Sequence, residues 1–168
     1  TITDSNVTGI NFSSVGNPGT VPWLIMYYIA TDNNLSLYGF VFDWILRNYE
    51  VNSNYNLAIM LDLRGEGFTR YVYHSASGDV YYGNNELNTG SPATLVDFVN
   101  WDRAQQPTQH SPLLLHDNGT QLAASWDDTS DGSNISLKEL GEAFQQITTT
   151  GGKLDVLYMY TCLMADFL

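Results

Sequence analysis

Residues 23–35, WLIMYYIATDNNL, decide the fold class of this 168-residue chain. The first eight are apolar without interruption and include aromatic and β-branched side chains, a pattern typical of a strand covered on both faces. The polar turn at residues 31–34 then supplies side chains that favour the start of a helix. Residues 35–49 follow with apolar side chains at helical spacing. This order predicts a buried strand, a turn and a helix.

The same alternation of strand and helix patterns continues along the chain. Further apolar runs predict buried strands at residues 56–62, 111–115 and 154–160, and alternating segments predict a hairpin arm from residues 69–74 and 79–82. A helix is predicted after Ser91 and Pro92, and another over residues 134–147, where Ser136 and Glu139 make a capping box. Strands alternating with helices indicate a mainly parallel sheet with helices on both faces. We therefore predict an α/β/α sandwich over residues 21–168, after an irregular leader at residues 1–20.

The amino-acid composition and net charge argue against several classes of function. The chain is 43% hydrophobic, enough for one globular domain with a core. Its net charge of −12 comes from 18 acidic against 6 basic residues, which argues against a nucleic-acid binder. No apolar run approaches the ~20 residues of a membrane helix, so we expect no membrane span. A single cysteine excludes an intramolecular disulfide framework.

Five Asn-x-Ser/Thr sequons are candidate glycosylation sites. They begin at Asn6, Asn11, Asn34, Asn118 and Asn134. The number mildly exceeds chance for a chain this rich in Asn, Ser and Thr, and such sites are used on surface loops of secreted proteins. We therefore expect a secreted or cell-surface protein.

His116 and Cys162 are the candidate catalytic pair. Each falls just past the carboxyl end of a predicted strand, and in parallel sheets the ligand site lies beyond those ends. If the two strands are neighbours, the side chains meet in one crevice, where an imidazole promotes the reactive thiolate. They lie 46 residues apart, near the ~50 found between a caspase-type His and Cys. The alternative is that Cys162 is a buried small hydrophobe and His116 is structural.

Other site chemistries fit less well. One Cys and three His show no zinc-binding spacing. Asp127, Asp128 and Asp131 do not form the spaced loop of a calcium-binding EF-hand and are interpreted as a polar loop. We therefore predict no metal and no cofactor from the residues themselves.

Several sequence blocks together resemble the clostripain-like cysteine peptidases of the caspase-like superfamily. They are WLIMYYIATDNNL at 23–35, NLAIMLDLR at 56–64, Arg70-Tyr71, GSPATLVDFVNW at 90–101, LLLHDNG at 113–119, WDDTSDGSNISLKEL at 126–140 and KLDVLYMYTCLMA at 153–165. The resemblance implies a caspase-like α/β/α fold and endopeptidase activity on a protein or peptide substrate, usually after Arg or Lys. It implies that His116 is the catalytic base and Cys162 the nucleophile. Some members depend on calcium, which is the only reason to consider a cation here.

Departures from the family pattern bear on activity. Asp117 stands where the family has Gly after the His, and its backbone amide, with that of Cys162, is expected to bind the oxyanion. Its carboxyl would set a negative charge beside a developing one. Tyr160 stands where the family has an acid that selects a basic substrate residue. We assign Tyr160, together with Asp32 of the D-N-N-L turn, to the substrate pocket.

The family domain continues well beyond the point corresponding to residue 168. We therefore expect the N-terminal portion of a full domain, completed by a missing C-terminal portion or a second chain, since a sheet ending at its catalytic strand exposes an apolar edge. Three functions stay open: a cysteine endopeptidase, a catalytically inactive member with a structural, binding or assembly role, and an unrelated α/β binding protein.

Overall fold

The computed structural model describes residues 20–162, apart from positions 66, 68, 84, 121 and 129. The predicted leader, except for its last residue, lies outside the described residues. So do the sequons at Asn6 and Asn11 and the end of the last family-like block, residues 163–165.

The described residues form two sheets and three helices. In chain order they are β1 (Val21–Thr31), α1 (Ser36–Arg47), β2 (Tyr55–Leu63), β3 (Thr69–Ser75), β4 (Gly78–Tyr82), α2 (Pro92–Gln105), β5 (Thr108–His110), β6 (Leu113–Asp117), β7 (Gly119–Thr120), β8 (Ala123–Asp127), β9 (Ser133–Ser136), α3 (Leu137–Gly151) and β10 (Leu157–Thr161). The main sheet runs β10-β6-β1-β2-β3-β4, with β5 also paired to β1. The predicted α/β fold with a mainly parallel sheet is confirmed.

Strand β1 lies inside the sheet because its continuous apolar sequence can be buried on both sides. It pairs in parallel with β2, from Trp23 opposite Tyr55 onward, and with β6, from Met26 opposite Leu113 onward. Strands β3 and β4 add the predicted antiparallel hairpin at one edge. All the parallel neighbours run the same way, so their carboxyl ends gather at one side of the sheet.

Each face of the sheet has its own apolar cluster. Helices α2 and α3 cover one face, where Tyr28, Phe98, Leu115 and other buried side chains pack together. Residues alternating with these, such as Ile29 and Ile59, form the second cluster, to which Phe42 of α1 belongs. We refer to the two sides as the α2/α3 face and the α1 face.

Helix α3 begins with the predicted capping box. The Ser136 side chain accepts from the Glu139 backbone N–H, while the Glu139 carboxylate accepts from the Ser136 N–H at 2.9 Å. The predicted start at residue 134 is wrong, since residues 133–136 pair with β8 as strand β9 before the helix begins. Sequence patterns also missed the small sheet β7-β8-β9, whose short, largely polar strands carry little hydrophobic alternation.

Helix α1 turns much of its apolar stripe towards solvent. Its buried residues are Gly39, Asp43 and Leu46. Its exposed apolar side chains include Leu37, Phe40, Val41, Trp44 and Ile45. The Asp43 carboxylate pairs with Arg47 at 2.6 Å and with Arg70 at 3.5 Å, which compensates its burial.

Strand β10 forms the second edge of the main sheet, with a neighbour only on its β6 side among the described residues. Leu157, Tyr158 and Tyr160 are exposed there, together with Val156 just before the strand. The expected apolar edge at the cysteine-bearing strand is therefore present.

Candidate active site

His116 and Cys162 come from neighbouring strands. Strands β6 and β10 pair in parallel, with His116 opposite Tyr160 and Asp117 opposite Thr161. Cys162 directly follows Thr161 and lies two residues beyond Tyr160. Side chains alternate along a strand, so Cys162 is expected on the same face as Tyr160 and His116, the α1 face. The predicted adjacency of the two strand ends is confirmed.

The His116 ring packs against two aromatic rings, which also lie near each other with centroids 6.1 Å apart. Its centroid lies 4.8 Å from that of Phe42 and 5.0 Å from that of Tyr160, and its exposed fraction is 6%. Neither ring nitrogen has a hydrogen-bond partner among the described residues. Burial lowers the pKa of His116 below its ordinary 6.5, because the charged imidazolium is poorly solvated there. The neutral ring that results is the form that can accept a proton from a thiol.

Cys162 is an exposed free thiol at the mouth of a cavity that His116 also lines. The cavity encloses about 500 Å³. Its wall consists of Leu35, Tyr38, Phe42, His116, Asp117, Met159, Tyr160, Thr161 and Cys162. Apolar and aromatic side chains dominate this wall, and Asp117 supplies its one carboxyl group among the described residues.

The Asp117 carboxyl is buried and hydrogen-bonded away from the His116 ring. Its Oδ1 accepts from the Asn33 side-chain amide at 2.6 Å, and its Oδ2 accepts from the Trp126 backbone N–H. Asp117 is 2% exposed, and this burial raises its pKa to about 7 against the opposing effect of the hydrogen bonds. Consecutive residues of β6 face opposite sides of the sheet, which separates this carboxyl from the imidazole.

Asp32 lies in a carboxylate cluster instead of the cavity wall. Its ligand oxygen and those of Asp62, Glu86 and Asp127 all lie within 4.8 Å of one another. Burial raises the pKa of Asp62 to about 8, although the Thr89 hydroxyl, which donates to it at 2.8 Å, acts in the opposite direction. Four carboxylates are oxygen donors of the kind that calcium prefers, so the residues present fit the cation that some family members use.

Two sequon asparagines meet beside the cavity. Asn118 donates its side-chain amide to Asn34 at 2.8 Å, and both line a second, polar pocket with Asn33 and Trp126. Asn34 is exposed and Asn118 half-buried. Glycosylation of Asn34, Asn118 or Asn134 stays a prediction.

Sequence reasoning missed three residues that shape the site: Asn33, Phe42 and Trp126. Phe42 lies off the apolar stripe that helical spacing predicts for α1, so periodicity did not mark it as a neighbour of His116. Asn33 and Trp126 gave no signal either, because they meet Asp117 only through contacts 84 and 9 residues apart.

A mainly parallel sheet with His116 and Cys162 at adjacent strand ends is the arrangement expected of a caspase-like α/β protein. The sequence profile of the clostripain family matches residues 27–167, and the chain belongs to this family of cysteine peptidases. A secreted C11 cysteine protease of Bacteroides thetaiotaomicron, solved with an irreversible peptide inhibitor, is similar in structure with a TM-score of 0.67 at 14% identity. That match covers 84% of this chain and 43% of the other.

An inactive zymogen C11 protease of Parabacteroides distasonis is also similar, with a TM-score of 0.59 and 23% identity, over 86% of this chain and 43% of the other. The chain thus spans less than half the length of these structural neighbours. No curated protein matches the sequence significantly. Within the described residues, no helix is both long and apolar enough to cross a membrane. Family membership removes the third of the functions left open above, an unrelated α/β binding protein.

Proposed function

We propose that this chain carries the catalytic dyad of a cysteine endopeptidase, with Cys162 as nucleophile and His116 as general base and acid. The observation that carries the proposal is the pairing of β6 with β10, which brings both residues to the wall of one cavity. The neutral state of the buried imidazole supports the role of His116, since only the neutral ring can take the thiol proton.

The reaction follows from these two groups. His116 accepts the Cys162 proton, and the thiolate attacks the carbonyl carbon of the peptide bond. The backbone N–H groups of Asp117 and Cys162 are the proposed donors to the oxyanion. The imidazolium then protonates the leaving amine as the C–N bond breaks. Water, deprotonated by His116, hydrolyses the thioester and restores the thiol.

The cavity wall bears on which substrates fit. A basic side chain needs a carboxylate at the end of its pocket, and both oxygens of the Asp117 carboxyl are already bonded to Asn33 and Trp126. Tyr160 and Phe42 offer ring faces instead. An unpaired buried cation costs several kcal/mol, while a cation over a ring recovers only about 0.5–2 kcal/mol. We therefore propose that an apolar or aromatic residue precedes the scissile bond, in place of the Arg or Lys that the family prefers.

The other parts of the function are proposals as well. The natural substrate is a protein or peptide, and the exposed edge of β10 is the place where a further portion of the domain would extend the sheet. Secretion is proposed on the sequons and on the secreted structural neighbours. If a calcium ion is bound, Asp32, Asp62, Glu86 and Asp127 would hold it, and it would offset the charge of the three buried acids, Asp32, Asp62 and Asp127.

Covalent labelling of the cysteine tests the dyad. The full-length protein is treated with peptidyl activated-ketone probes that carry Phe, Leu, Arg or Lys next to the ketone, and the labelled site is mapped by mass spectrometry. Labelling of Cys162 that is lost in His116→Ala supports the proposal. The matched control is His110→Ala, since His110 bonds to Asp155 at 2.9 Å and lies outside the cavity.

The second candidate is a catalytically inactive member with a structural, binding or assembly role. The observation that favours it is the packing of the His116 ring against Phe42 and Tyr160, with no hydrogen bond to its nitrogens among the described residues. A folded protein whose Cys162 reacts with no probe, or reacts equally well in His116→Ala, supports this candidate.

A further inference from the structure

The Asp117 carboxyl joins three segments of the chain at the carboxyl end of the sheet. It lies at the end of β6, accepts from Asn33 in the turn after β1, and accepts from the backbone of Trp126 in β8. Both Asp117 and Asn33 are 2% exposed. A hydrogen bond between buried groups is little weakened by solvent, and it is strongest when the carboxyl is ionised.

Both polar atoms of the Asn33 side chain form hydrogen bonds. Besides the bond to Asp117, its amide nitrogen donates to the Trp126 carbonyl at 2.9 Å, and its Oδ1 accepts from the Leu35 N–H at 2.8 Å. Leu35 borders the cavity, and α1 begins at the next residue. Helix α1 in turn carries Phe42, whose ring packs against His116.

The hydrogen bonds of Asp117 therefore connect the two walls of the cavity. One wall is β6 with His116, and the other is the turn and helix that present Leu35 and Phe42. Because His116 and Asp117 are consecutive residues, the hydrogen bonds that hold the Asp117 carboxyl also hold the backbone that carries the His116 imidazole. A shift of about 1 Å in the position of a catalytic group is enough to slow a reaction roughly 100-fold.

We propose that Asp117 is a positioning residue of the active site, which fixes the strand end bearing His116 against the β1–α1 turn and β8. This rests on the proposed peptidase function. It reverses the expectation drawn from the sequence, in which the Asp117 charge opposes the developing oxyanion. The two views make opposite predictions for Asp117→Gly: the positioning role predicts a slower reaction, and the opposing charge predicts a faster one.

The test measures the rate at which the peptidyl ketone probe labels Cys162 in the full-length protein. We expect Asp117→Gly to slow labelling about 10- to 100-fold, because the loss of both carboxyl hydrogen bonds lets the strand end that bears His116 shift. Asp117→Asn keeps one acceptor oxygen and is expected to recover part of this loss. The matched control is Asp128→Asn, which removes an exposed acid next to β8 that pairs only loosely with Arg64, at 3.5 Å. It should change the rate by less than about twofold.

Asn33→Ala removes the hydrogen bond between Asn33 and Asp117 by deleting its donor. The inference can therefore still be tested if Asp117→Gly does not fold. Asn33→Ala should slow labelling to a similar degree, and the double change Asn33→Ala with Asp117→Asn should slow labelling by less than the two single effects combined, since both act on the hydrogen bond between these residues. All rates are compared where circular dichroism shows each variant folded. A loss of stability alone would leave these rates unchanged and would not make the two changes non-additive.

The outcomes separate this inference from the peptidase proposal. If wild-type labelling depends on His116 but Asp117→Gly labels as fast as wild type or faster, the positioning role is wrong and the dyad stands. Additive effects of Asn33→Ala and Asp117→Asn would also overturn it. If no probe labels wild type, the peptidase proposal fails, and the positioning role fails with it.

Discussion

Tyr160 stacks on His116 across the β6–β10 pair, with ring centroids 5.0 Å apart and planes 20° from parallel. The contact is a direct consequence of register, because the two residues are opposite each other on parallel strands and share a face. It places a phenol beside the proposed general base and two residues before the proposed nucleophile. Tyr160 therefore borders the cavity and contacts the imidazole at the same time.

Replacing Tyr160 by Asp should change which substrates are accepted. A carboxylate at this place would pair with a guanidinium or ammonium group, and the lost ring would remove apolar contact. We expect the ratio of labelling by the Arg probe to labelling by the Phe probe to rise at least about tenfold, which corresponds to roughly 1.4 kcal/mol. The measurement is the labelling rate of Cys162 with each probe.

The control for this change is Tyr158→Asp. Tyr158 lies on the same face of β10 and is similarly exposed, but it does not border the cavity. Tyr158→Asp adds the same charge as Tyr160→Asp and should leave the ratio of Arg-probe to Phe-probe labelling near that of wild type. A wild-type protein that already prefers the Arg probe would contradict the proposed apolar preference.

Removing the Phe42 ring should raise the pKa of His116. Burial is what lowers this pKa, and Phe42→Ala opens the imidazole to water on one side. In the wild-type protein the pKa of His116 is lower in the folded state than in the unfolded chain. The free energy of unfolding therefore falls as the pH drops below 6.5, where the unfolded chain takes up a proton that the folded protein does not. An NMR titration of the imidazole resonances checks the shift, with His110 as internal reference. An unchanged His116 titration would show that the ring does not shield it.

Much of the fold could be predicted from the sequence because it depends on local patterns. The apolar run of β1, the capping box of Ser136 and Glu139, and the placement of His116 and Cys162 at strand ends all follow from the order of residues nearby. The exposed stripe of α1 could not be predicted, since periodicity reports which residues share a face and not what covers that face. Its buried residues are instead Gly39, Asp43 and Leu46, and the Asp43 carboxylate pairs with Arg70 from β3.

The contacts around Asp117 show a second limit of sequence reasoning. An acidic residue after the proposed catalytic histidine would repel an oxyanion only if its carboxyl pointed into the cavity. Its direction depends on Asn33, which is 84 positions away along the chain. Asp117 and Asn33 are both visible in the sequence, but their pairing depends on the sheet, in which β6 lies beside β1.

With calcium removed by a chelator, the protein should become less stable as the pH rises from about 4 to 8. Burial raises the pKa of Asp62 to about 8 and that of Asp117 to about 7, from 3.8. In this window the folded state holds protons that the unfolded chain has released, so each group lowers the free energy of unfolding by up to about 1.4 kcal/mol per pH unit. Asp62→Asn should flatten this slope and raise the melting temperature at pH 8.

The control for the pH series is Asp131→Asn. Asp131 is exposed and has a positive φ of 60°, which Asn also adopts readily. It should leave the slope of stability against pH unchanged. Chemical denaturation at several pH values gives the free energies, and an Asp62→Asn slope equal to that of wild type would contradict the assignment of the raised pKa to this group.

Two helical glycines should respond to alanine with opposite signs. A Cβ on Gly39 in α1 would lie 1.9 Å from the Thr31 hydroxyl oxygen and 3.1 Å from a methyl carbon of Leu63, so α1 would have to move away from β1 and β2. Overpacking of this kind costs about 1–3 kcal/mol, and Gly39→Ala should lower the melting temperature accordingly. A Cβ on Gly141 in α3 meets nothing within 4 Å.

Gly141→Ala should therefore stabilise the protein by about 0.5–1 kcal/mol, because alanine has the higher helix propensity and Gly141 is exposed. The pair has a further use at the site. Gly39 lies in the same helix as Phe42, so displacing α1 should also slow labelling of Cys162, while Gly141→Ala should not. If Gly39→Ala lowers the melting temperature but leaves the labelling rate unchanged, the position of α1 does not govern the reactivity of the dyad.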